Sequence, residues 1–378
     1  MLKKFRKPEI IFTIIVLIFS IILFLIPTGF EKESDGYLRE KGLIIATDNS
    51  KIVQSGIVKT GTQGLRVKIL TGKFKGQEFE SSNLLVGRLE IDKMFEPGDK
   101  ALITINHSGN KIIAVNVIDH YRINYELILF SIFVLLLIYF GGWIGAKALL
   151  SFVFTVLMMW KILLPAFLKG FNPVIISFIV VVVLAAVTIF LVAGISKKAV
   201  TAFLGTISGV ITTLIFSLLF GNLFKIHGAV VPFSETLLYS GYAHLNLTQI
   251  FLSSIFIASV GALMDIAMDI SAAIQEVVEK KPDITSREAI QSGFNVGRVV
   301  IGTMTTTLLF AYSGGYIALL MVFMAQGTPV INILNLQYVA AQILHTLVGS
   351  FGMIIVAPFT AILGGLLFTF KTKRTVSS

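Results

Sequence analysis

Pro173-Val174-Ile175-Ile176-Ser177-Phe178-Ile179-Val180-Val181-Val182-Val183-Leu184-Ala185-Ala186-Val187-Thr188-Ile189-Phe190-Leu191-Val192-Ala193 contains no charged side chain. Wound as a helix at 1.5 Å per residue, it is about 30 Å long, the thickness of a bilayer's hydrocarbon core. A soluble core has no use for so long an apolar run. Lipid is the simplest solvent for it. The same reading extends outward to apolar spans at 10–26, 125–142, 148–168, 199–220, 248–270, 299–324 and 338–370. The composition agrees, since only 14% of the 378 residues are charged, against about 25% in soluble domains. The last span would be about 50 Å long. It contains Gly349, Gly352 and Pro358, so a kink, tilt or break is expected there.

The first span follows a basic stretch. It is longer than the core of a secretory signal, and Ile26-Pro27-Thr28-Gly29-Phe30 has no small-x-small cleavage pattern. An uncleaved anchor is expected. Residues 31–122 are different in kind: charged, Gly-rich, with alternating runs such as Arg66-Val67-Lys68-Ile69-Leu70 and Ala101-Leu102-Ile103-Thr104-Ile105. Turn signals at Thr71-Gly72, Pro97-Gly98-Asp99 and Ser108-Gly109-Asn110 separate them. This pattern predicts a small all-β domain. The expected fold is a predominantly α-helical membrane bundle of about eight spans. The β domain is inserted after the first helix (1–30) and before the remaining seven (123–370).

The net charge of +10 lies in clusters at span ends rather than on a basic face interleaved with aromatics, which argues against nucleic acid. With the N-terminus inside, Lys3, Lys4, Arg6, Lys7, Lys147, Lys197, Lys198, Lys280, Lys281, Arg287, Lys371, Lys373 and Arg374 fall on the inner side, and Lys169 and Lys225 on the outer. By the positive-inside rule the termini (including the tail 371–378) are cytoplasmic and the β domain extracytoplasmic.

The absence of cysteine excludes disulfides, zinc–thiolate sites and thiol nucleophiles. No phosphate-binding loop, serine elbow or His-Glu-x-x-His pair occurs. His227, Glu235 and His244, in the half-apolar outer loop 222–247, lack a tight ligand spacing. Neither enzymatic activity, a metal nor a cofactor is expected.

The chemistry is expected instead in Gly261-Ala262-Leu263-Met264-Asp265-Ile266-Ala267-Met268-Asp269-Ile270. Asp265 and Asp269 share one helix face, in a stripe with Ser254 and Gly261. Such a stripe must face protein or water rather than lipid. Like charges four residues apart repel, which favours a shared proton or a hard cation held by oxygen ligands. In the alternative reading Asp269 sits at the membrane interface and Asp265 pairs with Arg298 on the next span. Arg298, Gly302, Thr305 and Ser313 recur at helical spacing there, either lining a path or bonding back to their own helix. His345 and Gln342 share a face of the last span, as a relay or as an interhelical hydrogen bond. Between the sixth and seventh spans, the loop 271–296 is expected to prolong the sixth helix to about Glu279, stop near Pro282 and restart at Thr285-Ser286-Arg287-Glu288, which has the capping-box spacing.

The stretch 261–271, the inner loop that follows, and Asn295-Val296-Gly297-Arg298 resemble the YibE/F family of bacterial membrane proteins. Gln63-Gly64-Leu65-Arg66-Val67-Lys68-Ile69-Leu70-Thr71-Gly72 and Pro97-Gly98-Asp99-Lys100 resemble its YibE-like branch. The resemblance implies a bacterial cell-membrane protein with a shorter YibF-like membrane partner, loosely permease-like; it names no substrate. Two functions are expected to compete. One is an ion- or proton-coupled permease component for a small ion or small molecule, working with that partner or as a homo-oligomer. The other is a scaffold or sensor whose β domain binds a partner.

Overall fold

The computed structural model describes residues 7–31 and 37–370. The basic residues Lys3, Lys4 and Arg6, and Lys371, Lys373 and Arg374, lie outside the described residues. Two compact units form, one of residues 31–136 and one that joins the chain up to residue 30 with the chain from 137 onward.

The first unit is a five-stranded antiparallel sheet of β1 (Tyr37–Ser55), β2 (Val58–Ile69), β3 (Glu78–Val86), β4 (Lys100–Ser108) and β5 (Lys111–His120), in the order β3-β2-β1-β4-β5. Alternation builds its core: Leu65, Val67 and Ile69 of β2 and Ala101, Ile103 and Ile105 of β4 point inward against Ile44, Phe74 and Phe95. Gly109, at φ 61°, supplies the left-handed residue of the tight β4–β5 turn. Buried Gln63 ties the sheet to the loop beyond β3. Its Nε2 donates to the Phe95 carbonyl and to Asn49 Oδ1, both at 2.9 Å; its Oε1 accepts from the Phe95 N–H (3.1 Å) and from Asn83 (3.3 Å). Every polar atom of this buried amide is satisfied through more than one bond, as burial requires.

The second unit is helical. Among the described residues seven helices are long and apolar enough to cross a membrane, so the chain is a membrane protein. The first, α1 (Lys7–Leu25), buries Val16 and Leu23 against Phe154, Met158, Val180 and Leu184. One of the seven, 46 residues at 123–168, is about 69 Å long as a straight rod, more than twice the bilayer core. It is not straight. α2 (Ile123–Met158) breaks at Gly142, whose φ of 53° and ψ of −129° are not helical. Beyond the break the chain folds back: a Cβ on Gly145 would collide with the Leu137 carbonyl, which a straight helix places about 12 Å away. The break divides this segment into two helical stretches. Its end runs through a π turn (Met159–Leu163) into α3 (Leu164–Leu168).

The quoted apolar stretch is α4 (Pro173–Ala193). Asn172 caps it, its Oδ1 accepting from Val174 and Ile175 N–H, and Pro173 fits the first turn, where no N–H is needed. α5 (Lys197–Leu223) follows. The outer loop then folds back on the bundle through a 3-10 turn (Gly228–Val230) and α6 (Ser234–Tyr239), burying Ile226 and Val230 against Phe251, Leu344 and Val348. α7 (Leu247–Lys280) and α8 (Ser286–Ser313) are joined by the expected capping box, Thr285 Oγ1 accepting from Glu288 N–H while the Glu288 carboxylate accepts from Thr285 N–H. After α9 (Ile317–Ala325) and α10 (Val330–Asn335), α11 (Gln337–Thr369) runs unbroken through Pro358. No break occurs where one was an expected option. The glycines of α11 serve close packing instead: Gly352 faces Gly209 of α5, and Gly297 of α8 would set a Cβ 3.2 Å from that of Ala357.

Candidate functional site

Helix register fixes the level of each polar residue. Ser271 Oγ donates to the Lys198 carbonyl at 2.9 Å, so Ser271 lies at the end of the bundle that carries the α4–α5 turn. Asp269 is therefore near that end, and Asp265 is about 6 Å deeper along the helix. A Cβ on Gly297 would stand 3.2 Å from Ile270 Cδ1, which puts Arg298 at roughly the level of Asp269. Asp269 thus stands nearer than Asp265 to the end of the bundle that carries the α4–α5 turn. Asp265, Asp269 and Arg298 are exposed, and none makes an ion pair among the described residues. The expected Asp265–Arg298 pair is absent. Thr305, two turns from Arg298 on the same face of α8, lines a cleft against Thr346 and Ser350 of α11. That face turns toward α11, which explains why equal depth does not bring the charges together. Thr305 bonds back to the Ile301 carbonyl at 2.8 Å, as Thr303, Thr307 and Ser313 bond to theirs.

The exposed positions of α7 from its start to Gln275 are Ala258, Gly261, Asp265, Asp269 and Ala272, and none is a large apolar side chain. α11 differs: Leu347, Phe351, Ile354, Phe359, Ile362 and Leu366 cover its exposed side. The first surface is small and anionic, the second an ordinary lipid face.

Ser254 and His345 belong elsewhere. Ser254 lies eleven residues before Asp265, about 16 Å along the helix, where α7, α8 and α11 meet. The His345 ring touches the Ser254 main chain and stands edge-on to Tyr312, ring centroids 4.3 Å apart, with Phe251 at 6.4 Å. Ser254 Oγ bonds back to the Phe251 carbonyl at 2.7 Å. His345 Nδ1, Tyr312 Oη and Gln342 Nε2 are buried and without a hydrogen-bond partner. These polar residues therefore fall in two places, an exposed one at Asp265 and Asp269 and a buried one at His345. Tyr312, at the middle of the span 299–324, was not visible in the sequence as a site residue, since no spacing within one span ties it to His345 on another.

Among the described residues no group of three or more His, Asp or Glu side chains is placed to hold a metal. His227 accepts from Ala229 N–H, and His244 faces the Leu168 carbonyl.

Comparison with known proteins adds one identification. No curated protein and no solved structure matches the chain. Two family models do: the YibE/F-like protein model matches residues 129–370, and that of the YibE/F family N-terminal domain matches residues 37–120. Helical unit and sheet are thus matched in the order in which they stand here, and the chain belongs to the YibE/F family.

Proposed function

We propose that this chain is a permease component in which Asp265 and Asp269 hold a proton or cation along the exposed face of α7. The observation that carries this reading is the make-up of that face. Charged groups near the middle of a spanning helix cost about 2.5–3.5 kcal/mol each on insertion scales, less toward the interface. Asp265 lies inside the bundle's end with no basic partner. Ala258, Gly261 and Ala272 offer lipid almost no apolar surface, yet leave room for water or another helix. A route lined by this face needs no catalytic residue, and the chain is a carrier rather than an enzyme. A YibF-like partner or a second copy closes the face.

On this reading the protein sits in the bacterial cell membrane with its termini cytoplasmic. Lys197, Lys198, Lys280 and Lys281 gather at one end of the bundle, the bias expected of a cytoplasmic side. A second reading, a scaffold with a partner-binding β domain, is favoured by a different observation. Val53 of β1 and Val86 of β3 are exposed on either side of Thr60 of β2, Leu84 is exposed on β3, and Ile57, Leu89 and Ile91 lie close by in sequence. An apolar patch of this kind on a water-facing domain marks a contact surface.

The test is the melting temperature of the purified protein across cations and pH, with Asp265→Asn and Asp269→Asn beside it. Ligand that binds only the folded state raises the melting temperature by mass action. An ion-specific rise that vanishes in the variants supports the permease reading. Ion-independent melting of all three proteins removes it.

A further inference from the structure

We propose a second binding site, at the junction of α7, α8 and α11, for a small uncharged molecule with an apolar body and a hydroxyl or amide head. It is separate from the carboxylate face and does not rest on the permease reading. Three buried polar atoms on neighbouring residues there are without partners: His345 Nδ1, Tyr312 Oη and Gln342 Nε2. The membrane interior offers no bulk water to satisfy them, and each unsatisfied group is costly. Three on one cluster point to a ligand.

Two clefts share residues with the cluster. The larger, about 430 Å³, runs under the outer loop from Val231, Phe233 and Leu237 to Phe251 and Ser254. Those last two residues are also the ones that touch the His345 ring. The smaller, about 240 Å³, is lined by Gln342, Tyr316 and Ser313, the last beside Tyr312 in the chain. Mostly apolar walls with a few polar groups at one end are the ordinary form of a small-molecule site.

The chemistry of the ligand follows from the lining. Neither cleft is lined by Asp, Glu, Lys or Arg. A charged molecule would enter without a counter-charge, which excludes it. His345 Nδ1 has no partner, and a neutral imidazole nitrogen there either accepts or donates according to tautomer. Gln342 Nε2 donates, and the Tyr312 hydroxyl does both. The ligand head must therefore donate and accept, as a hydroxyl or a primary amide does. Phe251 lines the larger cleft and stands 6.4 Å from the His345 ring, so on this proposal its rotamer would have to change for a ligand in the cleft to reach the three atoms.

Phenol, benzyl alcohol and benzamide are the probes, with toluene as the hydrocarbon control and benzoate and benzylammonium as charged ones. The full chain in detergent is melted with each at equal concentration. The three neutral polar probes are expected to raise the melting temperature by a few degrees over toluene, and the charged ones not to. The rise should vanish in His345→Leu and shrink in Tyr312→Phe. An equal rise with toluene would mean an apolar cleft filled by lipid-like chains and would overturn the proposal. So would a rise that persists in both variants, or none with any probe. Should His345→Leu fail to fold, Tyr312→Phe, which removes one oxygen, decides alone.

Discussion

Gln63 in the sheet and His345 in the helical unit are both buried polar side chains, and they differ in what surrounds them. Gln63 has partners on Asn49, Asn83 and Phe95 and closes a loop onto the sheet. His345 leaves one ring nitrogen unpartnered, with Tyr312 and Gln342 in the same condition beside it. A fully satisfied network stabilises a unique packing; an unsatisfied one costs stability and is retained for another reason. The contrast separates architecture from candidate function within one chain.

The largest test of that contrast is Gln63→Ala. It strands the Phe95 N–H and carbonyl, at about 1–3 kcal/mol per unsatisfied group, and leaves the Asn83 amide only its bond to the Lys93 carbonyl. A loss of about 3 kcal/mol from the sheet is expected, seen as faster limited proteolysis within residues 37–120 of the full-length protein. Loss below about 0.5 kcal/mol would mean that water replaces the amide and that the network is not the clasp described.

His345→Leu should behave in the opposite way. An unsatisfied polar group gives way to an apolar one of similar size, which is close to neutral or stabilising by up to about 1 kcal/mol. Equilibrium or kinetic unfolding of the detergent-solubilised protein checks this. A cost equal to that of Gln63→Ala would show that His345 is a structural partner and would erase the distinction.

The spans, the β domain and the α7–α8 capping box were legible because each is a local pattern: run length, period-two alternation, a Thr and a Glu three apart. The carboxylate stripe was legible for the same reason, since four residues is one helical turn. The absence of an Asp265–Arg298 pair was not, because periodicity tells which residues share a face and not what that face meets. The continuity of α11 through Pro358 was equally hidden. Packing of Gly297 on Ala357 and of Gly352 on Gly209 holds that helix where its own sequence reads as a break point.

The smallest expected effect lies in the sheet at acid pH. The Asp92 carboxylate is held below its ordinary pKa, chiefly by the Val86 N–H and further by those of Gly87 and Arg88. Asp48 is lowered in the same way by Ser50. A depressed carboxylate stabilises the fold fully above its unfolded pKa of about 3.9, and that contribution is lost as pH falls through the lower folded value. Proteolytic protection of residues 37–120 should be flat from neutral pH to about pH 5 and decline below about pH 4. Asp92→Asn should flatten the decline; an unchanged profile would place the acid sensitivity elsewhere.

By itself the sequence determined the class of the molecule, the division into a β domain and apolar helices and the face on which Asp265 and Asp269 lie, because hydrophobic length and helical period are properties of single segments. Only the tertiary structure decided that Ser254 and His345 form a site apart from the carboxylates, that Tyr312 and Gln342 complete it, and that α7 exposes no large apolar side chain. Those are facts about neighbours. The helices that enclose His345 begin at residues 247, 286 and 337, and no spacing within any one of them records which of its faces the other two cover.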